Sequence, residues 1–259
     1  MLPRAKKTFG QNWLVDETVV RKMIEGAEIQ VGEEVLEVGP GTGVLTQALV
    51  DAGAKVTAIE ADKTLIDGLQ ERFHDQITLY LGNALSGSGM RPAVPYKLVA
   101  NIPYNITSEL IQTFLTTEPR PVSLILMVQK EVADRITAKP PEMSLLSVVC
   151  QAYAECKKLF TVPAGAFRPI PKVHSAVVRL DVFPLGDQES VIQIAKQGFS
   201  SKRKQLHKNL SSLRGLDSEQ VKMWLTDLGF DPRARAETLT VDDWKQLTHK
   251  YKQLIAQNT

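Results

Sequence analysis

Between residues 34 and about 180, short apolar runs alternate with stretches whose apolar residues recur every three or four positions. The runs are EVLEVG (34–39), KVTAIE (55–60), ITLYLG (77–82), KLVANI (97–102) and SLILMVQ (123–129). Two further strand-like stretches follow, LLSVVCQAYAECKKLF and SAVVRLDVF, which brings the expected strands to seven. Helical spacing lies between them, at 43–52, 62–73, 107–117 and 130–137, with an earlier helix at 16–28. There Asp16 can cap the first turn, and Val19, Val20, Met23, Ile24 and Ala27 share one face. Strands alternating with helices predict an α/β fold, a mostly parallel sheet with helices on both faces.

The pattern changes at FPLGDQES (183–190). Beyond it only helical periodicity remains, as in SEQVKMWLTDLGF and TVDDWKQLTHKYKQLI. A boundary near residue 185 is expected, with an α/β domain over 1–184 and a small all-α domain over 185–259. There is no internal repeat.

Charge adds one feature. Residues 185–259 carry 12 Lys+Arg against 9 Asp+Glu, whereas the rest is nearly balanced. Within that tail, 195–215 holds six basic residues and no acid, a composition suited to a polyanion. Lys202, Arg203, Lys204 and Lys208 are its densest part.

Composition mostly excludes. With 43% hydrophobic residues and no apolar run of bilayer length, membrane insertion is not expected. The start, MLPRAKKTFGQNWLVDE, lacks the apolar core and cleavage site of a secretory signal, so a cytoplasmic protein is expected. Cys150 and Cys156 lack zinc or disulfide-framework spacing, and no histidine pair has metal-ligand spacing on one helix. No metal is expected.

Chemistry concentrates at strand ends. EVLEVGPGTGVLTQAL places Gly39, Gly41 and Gly43 between a strand and a helix, where glycine allows a tight turn and close ligand approach. The third glycine comes one residue too early for the dinucleotide fingerprint G-x-G-x-x-G. Glu60 ends the second run, where an α/β nucleoside site places a carboxylate for ribose hydroxyls. Asn83 follows the third, with an amide able to read an adenine edge. The E-x-G-x-G-x-G loop, the acid and the polar residue after the third strand resemble class I S-adenosylmethionine-dependent methyltransferases, which have a Rossmann-like seven-stranded sheet. That likeness covers 34 to about 130 and implies S-adenosyl-L-methionine as cofactor, with Gly39, Gly41, Glu60, Asn83 and Asn101 around it.

The fourth run ends in Asn101-Ile102-Pro103-Tyr104. Proline fixes the backbone and removes a donor, so the Ile102 and Pro103 carbonyls and the Asn101 side-chain oxygen are expected to converge as acceptors. Such acceptors suit an exocyclic amine, whose lone pair is delocalised into its ring: they favour the pyramidal, methyl-accepting nitrogen and its developing charge. Tyr104 offers a face on which an extruded base can stack. NIPY at this place resembles the (D/N/S)-P-P-Y motif of amino-methylating enzymes, in the form seen in rRNA N6-adenosine methyltransferases.

Three more stretches narrow the likeness. KKTFGQNWL (6–14) resembles the segment that closes over the methionine end of the cofactor, with Asn12 and Leu14 at binding positions. PAGAFRPIPKVHSAVVRL (163–180) resembles the F-x-P-x-P-x-V-x-S block, implying that Phe167 stacks on the other side of the flipped adenine. SKRKQLHKNL resembles the rRNA-binding helical domain. Together they cover almost the whole chain, which is identified as similar to the small-subunit (16S) rRNA adenine N6,N6-dimethyltransferase family.

The resemblance implies dimethylation of two adjacent adenosines near the 3′ end of small-subunit rRNA, by a monomer acting on an immature small ribosomal subunit. Catalysis then falls to Asn101, Pro103, Tyr104 and Phe167. The chain departs from the family in Asn83 where Asp is frequent, Trp13 where Phe is commoner, and His174 where Asp is common. Two alternatives stay open: a large-subunit rRNA adenine methyltransferase of the macrolide-resistance type, and an assembly or transcription factor that retains the fold.

Overall fold

The computed structural model describes residues 2–3, 5–86 and 89–257. Its chain divides into two compact units, Met1–Asp134 with Ala154–Phe183, and Arg135–Tyr153 with Pro184–Thr259. The second unit therefore includes an excursion from the middle of the chain, which the expected single boundary near 185 does not contain.

The first unit opens with the two-residue strand β1 (Trp13–Leu14) and helix α1 (Glu17–Ala27). The Asp16 side chain caps α1, accepting from the Thr18 and Val19 amides, and Val19, Val20, Met23 and Ala27 form its buried stripe. Alternation follows: β2 (Glu34–Val38), α2 (Val44–Asp51), β3 (Lys55–Glu60), α3 (Lys63–Phe73), β4 (Ile77–Leu81), β5 (Lys97–Asn101), α4 (Thr107–Thr116), β6 (Ser123–Gln129) and α5 (Lys130–Ile136). After the excursion come β7 (Ala154–Val162), β8 (Phe167–Arg168) and β9 (Ser175–Val182).

Seven strands form one sheet in the order β4-β3-β2-β5-β6-β9-β7. β3, β2, β5 and β6 pair in parallel, and β9 runs antiparallel between β6 and β7. The central strand β6 is apolar along its middle because both its faces are covered: Leu124 to Val128 are fully buried. The edge strand β4 is largely exposed. The chain winds outward from β2 to β4 and then returns beside β2 as β5, which makes the carboxyl ends of β2 and β5 a topological switch point, the general ligand position of open α/β sheets. β1 and β8 pair separately, Leu14 opposite Phe167.

The second unit is helical: α6 (Leu145–Tyr153) in the excursion, then α7 (Gln188–Gly198), α8 (Leu206–Leu210), α9 (Ser218–Asp227) and α10 (Val241–Gln257). LLSVVCQAY, expected as strand, is α6. Ser147, Val148, Val149, Cys150, Ala152 and Tyr153 are all buried, so its sequence carries no polar face to reveal the helical period. α6 packs on α7 and α10, and Trp244 of α10 is fully buried beside Phe199. Among the described residues no helix is long and apolar enough to cross a membrane, and no cluster of His, Cys, Asp or Glu could hold a metal ion.

Candidate active site

At the switch point lies a cavity of about 360 Å³ within the first unit. Its floor is the loop from β2 to α2. Gly39, Gly41 and Gly43 all have positive φ, but for different reasons. A side chain at Gly43 would meet the Phe73 ring at 2.7 Å, and one at Gly41 would meet Trp13 at 3.0 Å. At Gly39 nothing lies within 4 Å, so bare backbone faces open space there.

Glu60 closes one side, 6% exposed. Its Oε2 accepts from the Gly41 amide (3.1 Å) and its Oε1 from the Asp62 amide (2.8 Å). Burial pushes its pKa up, opposed by these amides. One lone pair on each oxygen remains for a hydroxyl. Glu37, at the end of β2, is more deeply buried, and its Oε2 has no hydrogen-bond partner. Burial raises its pKa to about 8, and the neighbouring Glu60 carboxylate pushes it the same way.

The wall opposite is NIPY. The Asn101 Nδ2 donates to the Asn12 carbonyl (3.4 Å), which leaves Oδ1 as the acceptor. The Pro103 carbonyl differs from expectation: it accepts from the Ile106 amide (3.2 Å) and the Thr107 hydroxyl (3.3 Å), so the first turn of α4 uses both its lone pairs. Asn101, Ile102 and Pro103 all line the cavity, and Asn101 Oδ1 is the acceptor that the Asn12 bond leaves available. The Tyr104 hydroxyl and Ser175 Oγ share a 2.8 Å hydrogen bond that ties the ring to the start of β9, and burial raises the Tyr104 pKa.

Leu14 and Phe167 reach the cavity from the paired β1 and β8. Phe167 is only 1% exposed and belongs to the core cluster with Leu14, Met23 and Val177, so the ring gives the cavity a narrow face. Asn83 is exposed at the rim, and its Oδ1 already accepts from the Leu85 amide (3.0 Å); its Nδ2 donors are the groups left to read a base.

In the sequence, Glu37 stands only as the first residue of the E-x-G-x-G-x-G loop and Asp62 only as the first residue of the expected helix over 62–73, neither with a role of its own. Asp62 caps α3 through the Thr64 amide. It also receives Lys6 Nζ (2.7 Å) and Gln11 Nε2 (3.0 Å). Burial alone would raise its pKa, but these bonds, with that from Thr64, hold its carboxyl well below the usual carboxylate range.

In the second unit, Lys202, Arg203 and Lys204 lie in the turn between α7 and α8, with Lys208 on α8. All four are exposed, and none forms an ion pair with an acid among the described residues.

Residues 3–253 match the family described as "Ribosomal RNA adenine dimethylase". The chain belongs to this family. Among the family's members, "Ribosomal RNA small subunit methyltransferase A" of Thermosynechococcus vestitus is 40% identical over 97% of this chain and 98% of its own. The protein of the same name from Syntrophotalea carbinolica is 39% identical, over 94% and 96%. A solved dimethyladenosine transferase from Plasmodium falciparum superimposes with a TM-score of 0.81 at 26% identity, covering 93% of this chain and 98% of that one. The 23S rRNA methyltransferase ErmE superimposes at 0.76 with 27% identity, covering 93% and 100%. As a family member the chain is an rRNA adenine methyltransferase with a Rossmann-like catalytic fold.

Proposed function

We propose that the protein transfers methyl groups from S-adenosylmethionine to N6 of two adjacent adenosines near the 3′ end of small-subunit rRNA, acting as a cytoplasmic monomer on an immature small subunit. The observation that carries this reading is that Asn101, Ile102 and Tyr104 line one cavity with Glu60 at the switch point, with the Asn101 amide held by the Asn12 carbonyl so that its Oδ1 is left to accept.

The cavity fits the cofactor. Bare backbone at Gly39 can receive a carboxylate-bearing tail, and Glu60 keeps lone pairs for ribose hydroxyls. When bound, S-adenosylmethionine supplies an electrophilic methyl group on a positively charged sulfur. Asn101 and Ile102 do the rest by position: their oxygens accept the N6 hydrogens, two in the first transfer and one in the second, and stabilise the positive charge that grows on nitrogen, and each displaced N6 proton then leaves to solvent. No base stronger than these is needed before transfer. Tyr104, held by Ser175, is the platform for the extruded base, with stacking worth about 1–3 kcal/mol. Lys202, Arg203, Lys204 and Lys208 bind phosphates.

The test is transfer of labelled methyl to unmethylated small subunits and, separately, to unmethylated large-subunit RNA, followed by nucleoside mass analysis. N6,N6-dimethyladenosine from the small subunit alone is expected. Product from the large-subunit RNA alone would assign the chain to the branch that the ErmE likeness represents. Binding without product would favour a role in assembly.

A further inference from the structure

The N-terminal segment from Lys6 to Leu14 touches both ends of the cavity. At the carboxylate end, Lys6 Nζ reaches Asp62 Oδ1 and Thr64 Oγ1 (both 2.7 Å), and Gln11 Nε2 reaches Asp62 Oδ2 (3.0 Å). Gln11 in turn accepts the Lys6 amide (2.7 Å), so the segment forms a closed loop whose two ends meet on one carboxylate. Asp62 passes its own amide to Glu60 Oε1, and Glu60 Oε2 takes the Gly41 amide. Trp13 of the same segment covers Gly41.

At the NIPY end, Gly10 lies so close to Asn105 that a β-carbon would stand 2.7 Å from its Oδ1, and the Asn12 carbonyl receives Asn101 Nδ2. That last bond decides which way the Asn101 amide faces.

We infer that Asp62 is a positioning residue: through Lys6 and Gln11 it latches the 6–14 segment closed, and the closed segment both completes the cofactor wall and orients the Asn101 amide for the acceptor amine. The second half rests on the proposed methyl transfer; the latch itself does not. Helix capping is the competing role for Asp62, and an asparagine separates the two. It keeps an oxygen for the Thr64 amide but loses the charge that holds Lys6.

The experiment compares the parent with Asp62→Asn, Lys6→Met and the double variant. In ligand-free protein, amide hydrogen exchange over 6–14 should quicken about tenfold in each single variant and no further in the double, with exchange in the central strands unchanged. Calorimetric affinity for S-adenosylmethionine should fall about tenfold, again without additivity. Single-turnover transfer at saturating cofactor should also slow, because Asn101 loses its orienting partner. Unchanged exchange over 6–14, or losses that add, would overturn the latch. Quickened exchange in a protein whose parent neither binds the cofactor nor transfers methyl would leave the latch standing and sink the functional reading instead.

Discussion

Glu37 buries a carboxyl oxygen that has no hydrogen-bond partner among the described residues, which makes its titration matter for stability. Folded, it keeps its proton up to about pH 8; the unfolded chain releases it near 4.5. Between those values the folded state binds more protons, so the Glu37 contribution is complete below about pH 4.5 and is lost as pH rises toward 8. Glu37→Gln mimics the protonated form. Its stability relative to the parent should rise across that window, by on the order of 4 kcal/mol near pH 8, in paired denaturant titrations. A difference curve flat in pH would mean the carboxylate is charged in the fold. Asn101→Ala acts at the other wall. It should cut methyl transfer by 100-fold or more, as when a transition-state hydrogen bond is lost, while cofactor binding stays measurable by calorimetry.

At the scale of elements, the β2-to-α2 loop separates packing from binding. Gly43→Ala forces a side chain into the Phe73 ring at positive φ, whereas Gly39→Ala meets only open space at the same backbone strain. Gly43→Ala should therefore cost about 3 kcal/mol in unfolding, and Gly39→Ala about 1–2, in denaturant titrations. Their order should reverse in calorimetry with cofactor, because only Gly39 borders the space that a ligand fills. The same loop was legible from its glycine spacing, as were Glu60 and Asn101 from their places at strand ends. Short-range pattern cannot reveal β1 and β8, two residues each, since their pairing joins positions 14 and 167. Nor could it show the second partner of Asp62, because a helix-capping Asp and a Lys or Gln some fifty residues earlier share no local periodicity. The Pro103 carbonyl was misjudged for a related reason: its lone pairs go to a turn whose hydroxyl donor, Thr107, lies in the next helix.

For the whole molecule, the discontinuity of the second unit matters most. A chain cut at residue 184 would keep α6 but lose α7 and α10, the helices that cover its apolar residues. Such a fragment should bind a hydrophobic dye and aggregate in size-exclusion chromatography; a monomeric 1–184 that binds no dye would mean that α6 needs no cover from α7 and α10.

The electrostatic division of labour between the units gives a further test. Lys202, Arg203, Lys204 and Lys208 are exposed, free of acidic partners among the described residues, and near one another along the chain, while Glu37 and Glu60 are the charged residues that line the cavity of the first unit. Affinity for RNA should accordingly come from the second unit and chemistry from the first. Each phosphate neutralised releases condensed counterions, so affinity falls with salt in proportion to the number of contacts. Replacing all four residues with alanine should lower the slope of log K against log salt by about 3, weaken small-subunit rRNA binding at low salt, and leave cofactor affinity as it was. An unchanged slope would place the phosphate contacts elsewhere on the chain. A reduced slope together with weakened cofactor binding would mean that the variant has disturbed the fold rather than the RNA surface, a distinction that melting temperature checks independently.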